Sequence, residues 1–277
     1  MARAERLWSE ALRLSDQAQA DGALVPLATQ PLESPDVLPF RLRRLLSATP
    51  KHLRAGGPKP NPFLPWDPRL EVCRLREQHL ILLNKYPVQR AHLLLITQQW
   101  QPQSGWLGEA DWWAVDEVAR DTSGLWFFNS APAAGASQPH RHLQLLPRHA
   151  GEGSCPLERL LLEQLAGGVS PWPWAYALSA RTPGGGTDEL IDLYRSHAER
   201  LGLGGPKRDP QPRHPYNLLF SDQWFMTVRR RCEHQAGFSI NALGFAGYLL
   251  ATQRSQLDWL LEHGPWKLLQ DVADEVQ

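Results

Sequence analysis

His140, His142 and Gln144 stand at alternate positions of an apolar run over residues 140–147. In a strand successive side chains point to opposite faces, so these three share one face while Arg141, Leu143 and Leu145 take the other. Three polar groups on one side of an otherwise apolar strand must each be satisfied by something. Just upstream, residues 130–139 form a loop of small side chains. Its Gly135, Ala136, Ser137 and Gln138 allow backbone N–H groups and a hydroxyl to approach an anion closely. An imidazole beside an anion cradle is the minimum equipment for nucleotidyl transfer through a phosphorus–nitrogen bond.

Two other readings fit the same residues. A histidine is more often a hydrogen-bonded core or surface residue than a functional one, and the chain has ten. Histidines at alternate strand positions can also share a metal ion. A cupin-like metal site would need Gly six places before the first His and Glu four or five after the second. Those places hold Ala134, Leu146 and Pro147, and no Cys, Asp or Glu lies nearby to complete a ligand set.

The elements that must position this strand are legible from periodicity. Residues 2–20 read as an amphipathic helix, with Leu7, Ala11 and Leu14 at helical spacing. Residues 50–69, dense in Pro and Gly, read as a loop. Runs 70–76, 79–84, 91–97 and 125–129 read as strands, and 109–121 as a helix between them. In the second half, Ser154 is expected to cap a helix over about 156–166, and 187–201 is expected to be a helix. Residues 202–215 read as a Gly/Pro-rich linker, 216–220 and 224–229 as a hairpin, and 241–262 as mostly helical. Strands gathered in one sheet with helices outside it make an α+β fold. One domain over 1–277 is expected, with the active strand in a half ending near 150 and a second half over 151–277.

A chain of 277 residues can bury a full core without disulfides or a structural metal. Its 29 basic residues balance 29 acidic ones, so bulk nucleic-acid electrostatics is a poor explanation of it. Cys73, Cys155 and Cys232 are dispersed and form no CxxC pair, which fits a reducing cytoplasm. Charged residues interrupt the N-terminus, and no apolar run approaches the roughly 20 residues of a membrane span.

Residues 135–144, Gly-Ala-Ser-Gln-Pro-His-Arg-His-Leu-Gln, resemble the active-site strand of the ATP adenylyltransferases, the diadenosine tetraphosphate phosphorylases. That family is a His-x-His-x-Gln branch of the histidine-triad superfamily. Asn84-Lys85-Tyr86-Pro87 with Arg90-Ala91-His92-Leu93 is similar to its paired-strand motif. Lys59-Pro60-Asn61-Pro62-Phe63, Tyr216-Asn217-Leu218-Leu219 and residues 241–247 match further segments, so the likeness runs from about residue 58 to 252. It implies two merged histidine-triad-like halves and an antiparallel sheet with outer helices. His142 matches the nucleophile, Gln144 the residue bonding the phosphoryl oxygens, and His140 a positioning histidine. Gly135, Ala136, Ser137 and Gln138 match the phosphate cradle. Lys59, Asn84, Lys85, Asn129, Asn241, Ala242, Leu243, Tyr248 and Thr252 match substrate-binding positions. The residues alone allow plainer roles: Asn84 as a strand end, Lys59 as a solvated lysine, Tyr216 and Asn217 as hairpin partners.

The chain departs from the family at two places, where Tyr248 stands for a Met and Thr252 for a Lys. Arg254 and the triplet 229–231 are the candidates to replace the lost cation. The implied reaction is phosphorolysis of diadenosine tetraphosphate to ATP and ADP through an adenylyl-histidine. The implied partners are diadenosine polyphosphate, ATP, ADP and inorganic phosphate, with no nucleic acid and no membrane. A divalent cation, magnesium by expectation, would come with the polyphosphate; no resident metal and a monomer are expected. Two rival readings are a hexose-1-phosphate uridylyltransferase relative, which commonly carries paired zinc-ligand cysteines, and a nucleotide-binding module without turnover.

Overall fold

The computed structural model describes residues 3–47, 61–149, 151–168, 170–182 and 184–276. Lys59 and the Pro/Gly stretch up to residue 60 lie outside the described residues. In chain order the elements are α1 (Arg6–Ala20), β1 (Thr29–Pro31), β2 (Arg41–Leu45), β3 (Glu71–Leu75), β4 (His79–Leu83), β5 (Leu93–Thr97) and α2 (Glu109–Asp121). They continue with β6 (Gly124–Asn129), β7 (His142–Pro147), α3 (Glu158–Leu165), β8 (Tyr176–Ala180), α4 (Gly186–Arg200), β9 (Tyr216–Phe220) and β10 (Trp224–Arg229). The chain closes with β11 (His234–Gln235), β12 (Phe238–Ser239), α5 (Ala242–Phe245), β13 (Tyr248–Ala251) and α6 (Leu257–Val272).

Eight strands form one antiparallel sheet in the order β3-β4-β5-β7-β6-β9-β10-β8. The two halves of the sequence meet inside it, at β6 and β9, where Phe127 faces Leu219 and Asn129 faces Asn217. The strand alternation sorts the core. Trp126, Phe128, Leu143, Leu145 and Leu218 pack with Ala11 of α1, Trp112 and Val115 of α2, and Leu190 and Tyr194 of α4. Leu125, Phe127, Leu146 and Leu219 point the other way, into a second core with Leu161 of α3, Phe245 of α5 and Leu260 and Leu268 of α6. The expected α+β architecture is the observed one.

Two local expectations are corrected. Residues 241–262 are not one helical stretch: α5 is four residues long, and β13 follows, pairing in parallel with β2. Gly247 turns the chain between them at φ +97°, where a Cβ would meet Pro156 and Leu157 at 2.9 Å. A short apolar run has no periodicity that separates strand from helix. Ser154 does not cap α3; its hydroxyl donates to Glu158 at 2.6 Å, and the helix begins at Glu158 itself. Strands β1, β2 and β8 carry no clear strand pattern, and the sequence does not reveal them.

Candidate active site

The active strand is pinned from behind. Arg141 donates to Asp111 at 3.0 Å, and the same carboxylate takes His79 Nε2 at 2.8 Å and the Gly108 N–H at 2.8 Å. A buried carboxylate shared by three donors holds the residue between His140 and His142 against α2. From the neighbouring loop Gln103 clamps the strand's backbone, accepting the His142 N–H at 2.8 Å and donating to the carbonyls of Asn129 and His142.

With that backbone fixed, the hydrogen bonds settle which imidazole can attack. The His142 Nδ1 lies 2.8 Å from the His140 carbonyl, which can only accept, so Nδ1 carries the proton and Nε2 keeps its lone pair. Nε2 has no hydrogen-bond partner among the described residues. Burial pushes the His142 pKa down to about 4, the backbone hydrogen bond only partly opposing it. The imidazole is therefore neutral at pH 7. His140 has the opposite tautomer. Asn61 Oδ1 accepts the Phe63 N–H, so Asn61 Nδ2 is left to donate to His140 Nδ1 at 3.0 Å. His140 Nε2–H then faces the Thr97 carbonyl at 2.8 Å and hydroxyl at 2.9 Å. Both nitrogens of His140 are occupied, and burial lowers its pKa as well. Of the two, only His142 presents a free lone pair.

A cleft of about 2120 Å³ opens in front of this strand. Gln144, Asn84, Asn129, Gly135, Ala136, Ser137 and Gln138 line it, as do Asn241, Leu243, Tyr248 and Thr252. His142 lies just behind the wall, 4% exposed, with the Phe63 ring 5.5 Å from its own. The cradle loop is tied to the second half of the chain by paired Ser130–Tyr216 hydrogen bonds and by the amide of Asn217. Asn217 Nδ2 donates to Asn129 Oδ1 and to the Ala134 carbonyl, both at 2.8 Å, while its oxygen accepts from Arg230. Arg230 is buried, its remaining donors spent on the carbonyls of Ala134, Val272, Cys232 and Ile240, and burial lowers its pKa to about 10. Gly135 sits at φ +85° with a Cβ position only 2.6 Å from that of Asn241, so no larger residue fits where loop and second half touch.

Several expected contacts are revised. The N–H groups of Gly135 and Ala136 bond back to Pro132 and Ala131, leaving those of Ser137 and Gln138 for an anion. Gln138 Oε1 is buried without a partner among the described residues. The Ala242 N–H is spent on Asn129 Oδ1 at 2.9 Å, and Ala242 is not in the cleft wall. Asn241 uses its side-chain oxygen to cap α5. Lys85 is exposed and outside the wall. Among the described residues the arginines and lysines of the cleft wall are Arg41, Arg43, Arg148 and Arg254, with Arg148 donating to the Tyr248 hydroxyl at 3.0 Å. Arg254 lies in the same cleft wall as Thr252. The triplet 229–231 does not: Arg229 pairs with Asp274, Arg230 is structural, and Arg231 bonds the Asp271 carbonyl. Sequence reasoning missed Asn61, Thr97, Gln103 and Arg230 as supports of the site. The resemblance held Asn61 within a motif, but coil residues such as Gln103 carry no periodic signal at all.

Known proteins resemble this chain in sequence and in fold. Residues 1–163 match the family described as Ap4A phosphorylase N-terminal domain, and 170–275 that described as ATP adenylyltransferase C-terminal domain. The Saccharomyces cerevisiae protein named diadenosine 5',5'''-P1,P4-tetraphosphate phosphorylase 2 is 26% identical over 67% of the chain. Protein APA1 of the same yeast is 40% identical over 24% of it. These matches span 66% and 23% of the two relatives' own lengths. The crystal structure of yeast Ap4A phosphorylase Apa2 superposes with a TM-score of 0.75 at 22% identity, covering 99% of both chains. The same yeast enzyme in complex with Ap4A gives 0.74 at 20% identity, covering all of both.

Proposed function

The chain belongs to the family of Ap4A phosphorylases and ATP adenylyltransferases, and from that premise we propose that it phosphorolyses diadenosine tetraphosphate to ATP and ADP by double displacement at His142. The observation that carries this reading is the tautomer of His142: proton on Nδ1, held by the His140 carbonyl, and lone pair on Nε2. In the first step Nε2 attacks the α-phosphorus. The nitrogen–phosphorus bond forms, the bond to the bridging oxygen breaks, and that oxygen leaves with the electron pair as ATP. The imidazole becomes cationic, and the His140 carbonyl receiving its Nδ1–H stabilises that charge. In the second step an oxygen of inorganic phosphate attacks the same phosphorus, the electron pair returns to Nε2, and ADP is released.

Gln144 donates to the phosphoryl oxygens in both steps, and as an amide it cannot shuttle a proton to water. The N–H groups of Ser137 and Gln138 and the guanidinium of Arg254 take up the polyphosphate charge. A divalent cation such as magnesium would be ligated mainly by the substrate's own oxygens. Among the described residues no group of three His, Cys, Asp or Glu could hold a metal, and Glu33 and Glu233 are the acids of the cleft wall. The three cysteines are free thiols, which suits action in a reducing cytoplasm, and two halves sharing one sheet suit a monomer. Among the described residues no helix is long and apolar enough to cross a membrane.

The test is covalent trapping. Protein incubated with radiolabelled dinucleotide without phosphate should carry acid-labile, base-stable AMP, and His142→Ala should carry none. Label retained in His142→Ala, or ATP release that leaves no label on the wild type, overturns the reading.

A further inference from the structure

We propose that His92 is a positioning residue that dictates which end of the Gln144 amide faces the reacting phosphorus. The inference rests on the double-displacement reading above and deepens it. It follows from a chain of donors and acceptors with no free choice in it. The Tyr86 backbone N–H can only donate, and it donates to Asn84 Oδ1 at 3.0 Å. The other end of that side chain, Nδ2, lies 3.2 Å from His92 Nδ1 and can only donate. His92 Nδ1 is therefore an acceptor without a proton, and the proton of the neutral ring is on Nε2. That Nε2–H lies 3.0 Å from Gln144 Oε1. The amide oxygen is thus held by His92, itself part of the cleft wall, and the NH₂ group is what remains to meet a ligand. Gln144 lines the cleft, and its NH₂ has no partner among the described residues.

The orientation matters because the two ends of an amide are alike in shape and opposite in polarity. An NH₂ group donates to a phosphoryl oxygen as negative charge builds on it; the carbonyl end would repel it. A free glutamine facing solvent would sample both. His92 removes that choice, and burial keeps it in the form that can do so, its pKa down at about 3. A proton on Nδ1 would face the Asn84 NH₂ and break the chain. A second chain of the same construction runs from the Phe63 N–H through Asn61 to His140 Nδ1. In both, an asparagine two residues before an aromatic converts a backbone N–H into a fixed imidazole tautomer. The two supporting histidines carry their proton on Nε2, and of the three site histidines only His142 carries it on Nδ1.

The test measures the single-turnover rate of enzyme adenylylation and the dinucleotide KM in the full-length protein. In His92→Gln the new amide nitrogen reaches the place of imidazole Nε2 and can donate to Gln144; in His92→Asn the side chain is too short, and His92→Phe has no donor. His92→Asn and His92→Phe should each slow adenylylation on the order of 100-fold, the scale of losing one preorganised donor, with KM within about threefold. His92→Gln should recover at least about tenfold of that loss. In a Gln144→Ala background His92→Asn should slow the step no further, since its effect passes through Gln144. Losses that multiply in the double variant overturn the proposal, as does a His92→Gln protein as slow as His92→Asn. If the wild type itself forms no adenylyl-enzyme, the functional reading has failed and not the role of His92.

Discussion

Lowering the pH separates His142 from an ordinary histidine by a calculable amount. A nucleophile with the usual pKa of 6.5 would be about 9% neutral at pH 5.5, whereas one held near 4 would remain about 97% neutral. The kcat/KM for adenylylation should therefore change by less than about 1.5-fold between pH 7.5 and 5.5, where an exposed imidazole would lose about tenfold. The first half-reaction must be followed alone, by burst release of ATP, because inorganic phosphate itself titrates near neutrality. The same burial carries a stability cost with a definite sign. His92, His142 and His197 all have folded pKa values depressed by burial, to about 3, 4 and 3. Above pH 6.5 the unfolded chain gains nothing from them; below it, each unfolded imidazole binds a proton that its folded counterpart refuses. The three together should remove about 4 kcal/mol of stability between pH 7.5 and 5.5, and more as pH falls toward the folded values. Circular dichroism and urea titration at each pH identify the window in which the protein is folded. An inflection of kcat/KM near 6.5 in protein that circular dichroism shows to be folded would refute the assignment of a buried, Nδ1-protonated His142.

Two further outcomes test the chemistry and the electrostatics of the cleft. Gln144→His should shift products from ADP plus ATP toward AMP plus ATP and slow phosphorolysis, because an imidazole there can pass a proton; anion-exchange chromatography at saturating phosphate reads the ratio, and unchanged products would show that the amide does not govern the acceptor. Arg254→Ala should raise the dinucleotide KM about three- to tenfold in low salt, with the difference shrinking in high salt, while Lys85→Ala leaves KM within about twofold; the reverse pattern would return the polyphosphate contact to Lys85.

The parts of the site visible in the sequence are those whose information is local. A strand's alternation puts His140, His142 and Gln144 on one face whatever surrounds them, and Arg141 and Leu143 on the other, which is how they lie. The elements from 71 to 147 could be read for the same reason: long apolar runs, a helix with a clear buried side, and breaks where Gly and Pro permit nothing else. What was hidden depends on partners distant in sequence. Arg230 reads as the middle of a solvated basic triplet, yet it is buried because Asn217, 13 residues earlier, and the carbonyls of Ile240 and Val272 converge on it. Lys85 reads as a phosphate ligand by type and motif, but the turn after β4 directs it outward. The tautomers are the sharpest case. Residue types say that an imidazole can attack; they do not say which of ten will, or from which nitrogen. That answer came from acceptors and donors that cannot change roles: the carbonyl of His140, and the backbone N–H groups of Phe63 and Tyr86 acting through Asn61 and Asn84. Side-chain chemistry at this site is decided by backbone groups, and those are placed by the sheet. A substitution that leaves every functional side chain in place but shifts β5 against β7 would lose the Thr97–His140 and His92–Gln144 contacts together, and the selectivity of the nucleophile with them.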